Sequence, residues 1–454
     1  MTYLGPIVSL IVVVIVAILL LKRYYPHAVL LIAGLMMLIT AEIFGLAMPE
    51  LRNPSGFTGF DFFTYIKESF VKTNGGVGLM IMAIGGFVAY IKSIGASDAL
   101  VHLAMKPLKL LKKHPQLTAV CLIPIGQILF VCIPSAAGLS LLLMASAFPI
   151  LLKLGVTRLS AVSVITCSTA FGIGPASAIT ASATKIAEQD SIAYFLTEQI
   201  PLVLPLTIVL MIVYFFVNRR FDKGTSVGHT GNDSQRDVKP NVPMVYAFIP
   251  LFPMLLLIVF SDLLRLFPGS IKLDTTTAMF ISLFVALIFE LVRTRDIKKV
   301  MLSLSVFWSG MGNIFKTVVT LIIAADIFAK GLIALGFIEG LISASHGFGF
   351  GAIGIGVAMV TMIFLASMLM GSGNASFFAF GPLIPEIATK FGITTTKIIL
   401  PMNLAASMGR TVSPVAGVII ATAELAEVSP MDIVKRNLIP FISTLIVMLI
   451  YHFI

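Results

Sequence analysis

The chain has 454 residues, 58% of them hydrophobic and only 11% charged, and a net charge of +10. Soluble domains carry close to a quarter charged residues, so composition excludes one. Apolar runs of about 17–25 residues, the length that crosses a hydrocarbon core, recur throughout, and the chain reads as an all-α polytopic membrane protein. In such a protein the Lys and Arg excess belongs to loops and implies no nucleic-acid partner. The three cysteines, Cys121, Cys132 and Cys167, fall in apolar segments and imply neither a disulfide frame nor a metal cluster. There is no G-x-x-x-x-G-K-[ST] loop and no H-E-x-x-H, so ATP-driven transport and zinc hydrolysis are not indicated.

In chain order, the run Ile7–Leu21 is followed by Lys22-Arg23 without a small-residue cleavage site, which predicts a retained span and not a signal peptide. Spans are predicted near 5–22, 27–47 and 76–95, with an amphipathic stretch, Phe60–Val71, before the third that suits the interface plane. A long apolar segment, about 116–153, is interrupted by S-A-A-G-L-S (Ser135–Ser140). Next comes a span at about 157–187, weakened at S-T-A-F-G-I-G-P-A-S (Ser168–Ser177), and a last span near 200–217. The most polar stretch, Asn218–Pro243, reads as a cytoplasmic linker. The second half then predicts spans near 245–261, 275–292 and 313–335, with the amphipathic stretch Asp296–Trp308 before the third. A segment at about 349–391 is interrupted at M-G-S-G-N-A-S (Met370–Ser376). A Gly/Pro-interrupted span at about 396–424 holds N-L-A-A-S-M-G-R-T-V-S-P (Asn403–Pro414), and a span near 435–453 closes the chain.

The halves align by eye. Pro175–Glu188 sits against Pro414–Glu427, with Ile200-Pro201 against Ile439-Pro440 in the same register. Leu152–Thr157 matches Thr389–Thr394, and Ser135–Ser140 falls opposite Gly371–Ser376. The expected fold is two repeats, residues 1–217 and 244–454, joined by the linker 218–243. Each repeat has five transmembrane helices plus a re-entrant hairpin, and each contains a broken helix. Five crossings is an odd number, so the repeats are inverted. The basic clusters Lys22-Arg23, Lys106/Lys109/Lys112/Lys113, Lys153/Arg158, Arg219-Arg220-Lys223, Arg293/Arg295/Lys298/Lys299 and Lys435-Arg436 then fall on one side, the cytoplasm, with both termini outside. If each hairpin were two full crossings, the first half would place its basic clusters on the same side, so the composition of the tips decides.

Irregular backbone inside a bilayer survives only within protein or beside a water-filled cavity. The tips Ser372-Gly373-Asn374 and Ser135-Ala136-Ala137-Gly138 are therefore expected to face a binding site, each at the N-terminus of a helix that favours negative charge. The alternative is small-residue helix packing. Breaks at corresponding places in two repeats point to a midplane transporter site. Arg410 is the sharpest residue: mid-span, it costs a few kcal/mol unless it meets a partner or a cavity. An ion pair with Asp326 or snorkelling competes with a ligand-anchor role, in which Arg binds a carboxylate bidentately. Asp326 and Lys330, four apart on one helix, are expected to pair with each other. The expected site comprises Ser135, Gly138, Ser140, Ser168, Thr169, Ser372, Gly373, Asn374, Ser376, Asn403, Ser407, Arg410, Thr411 and Ser413.

At these residues the sequence resembles the DcuC family of anaerobic C4-dicarboxylate carriers, of the ion transporter superfamily. The resemblance is carried by M-G-S-G-N-A-S-F-F-A-F (Met370–Phe380), S-M-G-R-T-V-S-P-V-A-G-V (Ser407–Val418) and S-P-M-D-I-V-K-R (Ser429–Arg436). It extends to Met80–Asp98 and Gly138–Pro149, and the first half departs more from the family pattern. It implies inner-membrane exchange, uptake or efflux of succinate, fumarate or malate. It also implies a homodimer with a scaffold and a mobile transport domain moving like an elevator, no cofactor, and a coupling ion that is H+ or Na+. Another organic anion, or cation/proton antiport within the superfamily, is the nearest alternative. An enzyme would need a Ser/His dyad or metal ligands at depth, and no His lies mid-span; a channel would pass currents far above carrier turnover.

Overall fold

The computed structural model describes the chain apart from residues 1–3, 109–113, 223–240, 262–263, 265, 267–270, 272, 348–350 and 454. Most of the 218–243 stretch, and Lys109, Lys112 and Lys113 of the second basic cluster, thus lie outside the described residues. The regular structure among the described residues is helical, and ten helices are long and apolar enough to cross a membrane.

The first half runs α1 (Leu4–Leu21), α2 (Pro26–Ile43), α3 (Thr58–Thr73), α4 (Leu79–Ser93) and α5 (Ala96–Ala104). It continues with α6 (Pro115–Cys132), α7 (Ala136–Lys153), α8 (Arg158–Cys167) and α9 (Ala178–Ile186). The short α10 (Ser191–Ala193) leads through a widened turn, Tyr194–Gln199, into α11 (Ile200–Phe221). Beyond residue 243 come α12 (Phe252–Val259), α13 (Thr275–Thr294), α14 (Ile297–Ile314), α15 (Thr320–Ala334) and α16 (Phe337–Gly347). Then follow α17 (Ala352–Met370), α18 (Gly373–Phe380), α19 (Ile384–Lys390), α20 (Thr395–Thr411), α21 (Gly417–Ala426) and α22 (Pro430–Phe453).

Side-chain caps start several of these helices. Asp274 accepts from the N–H groups of Thr276 (2.9 Å) and Thr277 (3.2 Å), Asp296 from that of Lys299 (3.1 Å), and Thr157 from that of Ser160 (3.2 Å), each satisfying orphan amides of a first turn. The amphipathic stretches are joined to the spans that follow: α3 meets α4 across a kink at Gly76, where the backbone is non-helical (φ −122°, ψ −113°), and α14 runs into α15. In each the join is a five-residue π-helical turn, Asn74–Gly78 or Phe315–Val319. The α14 stretch packs along α4. The predicted span 245–261 starts as a tighter 3₁₀ turn, Met244–Leu251, before α12; Pro250 and Pro253 lack the N–H that α-helical bonding would use there.

Hydrogen bonds fix which ends of the helices meet. Gln116 at the start of α6 and Ser160 at the start of α8 both bond Asp222, just past α11. Arg436, early in α22, bonds the same Asp222 (3.0 Å) and Ser160 (3.0 Å). The expectation that Arg436 is a loop charge is therefore corrected: it is buried, because this carboxylate and the Asn218 amide (3.1 Å) satisfy it inside. At the far end, His452 near the end of α22 meets the Lys397 carbonyl (2.9 Å) early in α20. Gln189, just past α9, donates to Thr396 (3.0 Å), while Arg158 at the start of α8 pairs with Glu427 just past α21. The broken helices α8–α9 and α20–α21 thus run antiparallel, each starting where the other ends.

Polar side-chain contacts also sort into two groups. One ties together α6–α11 and α17–α22. The other ties α3 to α15, through Ser69–Asp326–Lys330, and α4 to α14, through Tyr90–Ser303. Among the described residues no side-chain hydrogen bond or ion pair joins the two groups. Their interface is apolar, for example Phe328 of α15 edge-on to Phe380 of α18 with ring centroids 6.3 Å apart.

The second group is held by close backbone approach. α2 and α15 pack at Gly34 and Gly331: a Cβ at Gly34 would sit 2.6 Å from the Ile327 carbonyl carbon, and one at Gly331 would sit 2.8 Å from the Gly34 oxygen. Small residues are what let membrane helices meet this closely. Gly34→Ala should force the pair apart and cost about 1–3 kcal/mol. Thermal unfolding of the detergent-solubilised protein reads this out, and an unchanged Tm would show that the approach is not as close as described.

Candidate functional site: two hairpin tips at the crossing of two broken helices

Both hairpins turn the same way. Cys132 ends α6, and Ser135 in extended backbone (φ −120°, ψ 103°) caps α7, accepting from the Gly138 N–H at 3.2 Å. Met370 ends α17, Gly371 turns in the left-handed region (φ +70°), and Ser372 (φ −138°, ψ 106°) caps α18, accepting from the Ala375 N–H at 3.2 Å. Each tip reaches a break. Val131 packs on Gly174, and Gly126 lies against Ser168 with no room for a Cβ. In the second half, Gly371 abuts Val415 and Ala416, and a Cβ at Gly373 would lie 2.6 Å from the Ala406 carbonyl oxygen. Hairpin α6–α7 has its base at the α8 start, through Gln116–Asp222. Hairpin α17–α19 has its base at the opposite end, where Gly356 packs on Phe453. The two enter from opposite ends and stop at the crossing.

At that crossing Arg410 closes the last turn of α20 and donates Nη2 to the Thr169 carbonyl just beyond α8, at 2.6 Å. Its Nε is buried without a partner. The expected competitor is ruled out: Asp326 bonds Lys330 (2.7 Å) and Ser69, and no carboxylate among the described residues pairs with Arg410. Ser407 lies on the same face of α20, against Gly172.

The predicted site residues divide. Thr169, Ser407, Arg410, Gly373 and Thr411 gather at the crossing. Asn374 is half-buried at the tip, and its side chain has no hydrogen-bond partner among the described residues. Ser376 instead turns into its own hairpin, bonding Ser367 and the Gly373 carbonyl (3.1 Å). Ser168 is used by the Val164 carbonyl (3.0 Å), and Ser413 accepts weakly from the Val415 N–H (3.4 Å) inside the second break. Ser140 is buried in α7 with an unpartnered hydroxyl. Ser135 and Gly138 form the first tip.

Two buried amides do not stand out in the sequence as site residues, one of them through its tie to Asn403. Gln199 accepts from the Gly174 N–H (2.9 Å), donates to Thr180 (2.9 Å) and lies 3.1 Å from the Asn403 side-chain amide, which in the orientation that satisfies both its groups donates to the Gly172 carbonyl and accepts from the Thr180 N–H (3.3 Å). Thr180 in turn donates to the Gly172 carbonyl (2.8 Å). Asn437 accepts from Tyr214 (2.9 Å) and donates to the Thr411 carbonyl (3.1 Å) and the Thr166 hydroxyl (3.2 Å). A signal for them exists: both are amides in apolar spans, just ahead of the repeated Ile-Pro pairs.

The carbonyl ends of the breaks are therefore occupied by Arg410 and Asn437. Of the amide ends, α21 after Ala416 has no side-chain cap, and α9 after Ser177 receives only the Asn403 side chain, at the Thr180 N–H. An uncapped helix N-terminus beside a partly unpartnered guanidinium has the chemistry to hold an anion. Gly373→Ala should drive the tip off α20 at a cost of about 1–3 kcal/mol, whereas Ser372→Ala should lose only a cap, about 1 kcal/mol. Equal Tm values for both variants and the parent would contradict the tip geometry.

Comparison with known proteins fits this architecture. Residues 4–454 match the DcuC family, described as a C4-dicarboxylate anaerobic carrier. The anaerobic C4-dicarboxylate transporter DcuC of Escherichia coli is 32% identical over 451 residues, 99% of this chain and 96% of the relative. A probable anaerobic C4-dicarboxylate transporter DcuC of Vibrio cholerae is 32% identical over 98% of this chain and 96% of its own length. Among solved structures, the Alcanivorax borkumensis YdaH transporter is similar at a TM-score of 0.59 and 13% identity, covering 94% of this chain and 97% of that one. Neisseria gonorrhoeae MtrF is similar at 0.60 and 14%, covering 95% and 96%. These two likenesses concern the fold. The chain belongs to the DcuC family of multi-pass membrane transporters and is not an enzyme.

Proposed function

We propose that the protein is a secondary active carrier of C4-dicarboxylates such as succinate, fumarate and malate, working by exchange, uptake or efflux. The observation that carries this is Arg410. It sits at the crossing of the broken helices with one Nη on a carbonyl, its Nε unpartnered and no carboxylate partner among the described residues. An uncompensated charge at mid-span is costly, and a dianion relieves it. One carboxylate takes the guanidinium; the other takes the open N-terminus of a half-helix. The names of the relatives support the C4 class, and an Arg anchor suits two carboxylates better than a bare cation.

The antiparallel broken helices and oppositely based hairpins support two inverted repeats, 1–217 and 244–454, around a cytoplasmic linker 218–243. They also support alternating access in which the group α6–α11 with α17–α22 slides as one body past an apolar scaffold. In this reading the protein sits in the bacterial inner membrane as a homodimer, with both termini periplasmic and H+ or Na+ as coupling ion.

The test is radiolabelled succinate counterflow in proteoliposomes of the purified protein. Uptake should be driven by internal succinate and competed by fumarate. In Arg410→Ala the apparent affinity should fall at least about tenfold, the loss of a charge-assisted hydrogen bond. Counterflow by folded Arg410→Ala equal to wild type would remove the anchor role. A folded wild type with no succinate counterflow would reject the substrate class. Topology is read separately: single cysteines placed after Met1 and before Ile454 should label from the periplasmic side only.

A further inference from the structure

Two buried amides engage both ends of the side chain, and each stands on the helix that follows its own half's broken helix. Gln199 holds its own break at Gly174 and Thr180, and lies 3.1 Å from the Asn403 side chain on the other half's broken helix. Asn437 accepts from Tyr214, holds its own break at the Thr411 carbonyl, and donates to Thr166 on the other half's broken helix. Both side chains are fully buried. Each amide thus stands between its own break and the other half's broken helix, and Asn437 bonds the residue next to Arg410.

We propose that Gln199 and Asn437 are a pair of positioning residues for transport. They clamp the two crossed breaks so that the Arg410 guanidinium and the uncapped N-terminus of α21 hold a fixed spacing before substrate arrives. This rests on the anion-site reading above and adds what sets its geometry. Neither amide touches the substrate. Their contribution is preorganisation: a site already spaced for two carboxylates loses no binding energy to ordering its own backbone. Loss of the clamp therefore appears as weaker apparent affinity and not as a slower maximal rate.

The variants Gln199→Glu and Asn437→Asp keep the shape and the accepting oxygen and remove the donations. In succinate counterflow each should raise the apparent KM about tenfold, the cost of leaving a buried acceptor unsatisfied, with the maximal rate within about twofold of wild type. Thr180→Val and Thr166→Val remove the hydroxyls that accept from the two amides, together with their own bonds to the Gly172 and Ser163 carbonyls, and should move KM in the same direction, while Thr180→Ser and Thr166→Ser restore it. A merely structural role would not give that KM-against-rate split with hydroxyl rescue. If the acidic variants do not fold, the Val and Ser pairs carry the test alone. Unchanged KM in folded variants, beside a wild type that transports succinate, overturns the clamp. If wild type moves no succinate, the substrate reading falls, and the clamp is read by hydrogen exchange without ligand. Gln199→Glu should then speed exchange at residues 172–177, and Asn437→Asp at 411–416. Exchange equal to wild type at both segments overturns it.

Discussion

A helix that breaks inside a hydrocarbon layer exposes carbonyls at one broken end and amides at the other, and lipid satisfies neither. Most of this protein's buried polar chemistry answers that constraint. Thr169 and Thr411, at the carbonyl ends of the two breaks, are met by Arg410 and Asn437. Gly172 and Gly174 in the first break are met by Thr180 and Gln199. Arg410 comes from the opposite half, Gln199 and Asn437 from the helix that follows each break, and Thr180 from the broken helix itself. The N-terminus of α21 is left without a side-chain cap.

Much of this is legible in the sequence because Gly, Pro, Ser and Asn inside long apolar runs have few roles in a membrane besides breaking a helix or lining a cavity. The tips at Ser135 and Ser372 and the breaks at Gly172–Pro175 and Gly409–Pro414 are visible that way. Aligned halves also lead to the expectation of inversion, and the two broken helices do run antiparallel. Local rules also give the Asp326–Lys330 pair. The bonds that hold the breaks are not legible. Gln199 meets a partner 204 positions away, and Asn437 one 271 positions away; no local pattern announces such pairs. Arg436 misleads for a related reason. Its neighbour Lys435 is exposed, and adjacent basic residues at a span end look like one loop cluster. Helical geometry turns one outward and the other onto Asp222.

The buried and half-buried cations set the centre apart. Arg436 is neutralised by Asp222 and Lys330 by Asp326, each within 3.0 Å. Arg158 pairs with Glu427 at the edge. Arg410 breaks the pattern, since no carboxylate among the described residues pairs with it. The proposed dianion supplies that partner.

The distribution of polar bonds also shows which parts of the fold are tied together. Arg158–Glu427, Gln189–Thr396, Gln199–Asn403, Asn437–Thr166 and Arg410–Thr169 cross-link the two broken helices at both ends and in the middle. Moving one without the other would strand several buried donors, at about 1–3 kcal/mol each. Sliding the whole cross-linked group past α4 and α15 strands none, because that boundary is made of side chains such as Phe87, Val131, Pro134, Pro175 and Phe380 that trade one apolar contact for another. Packed interfaces shift between discrete arrangements and do not deform continuously. A rigid displacement that keeps Arg410, both tips and both breaks together is therefore the one that breaks fewest polar bonds, which is what the proposed alternating access requires.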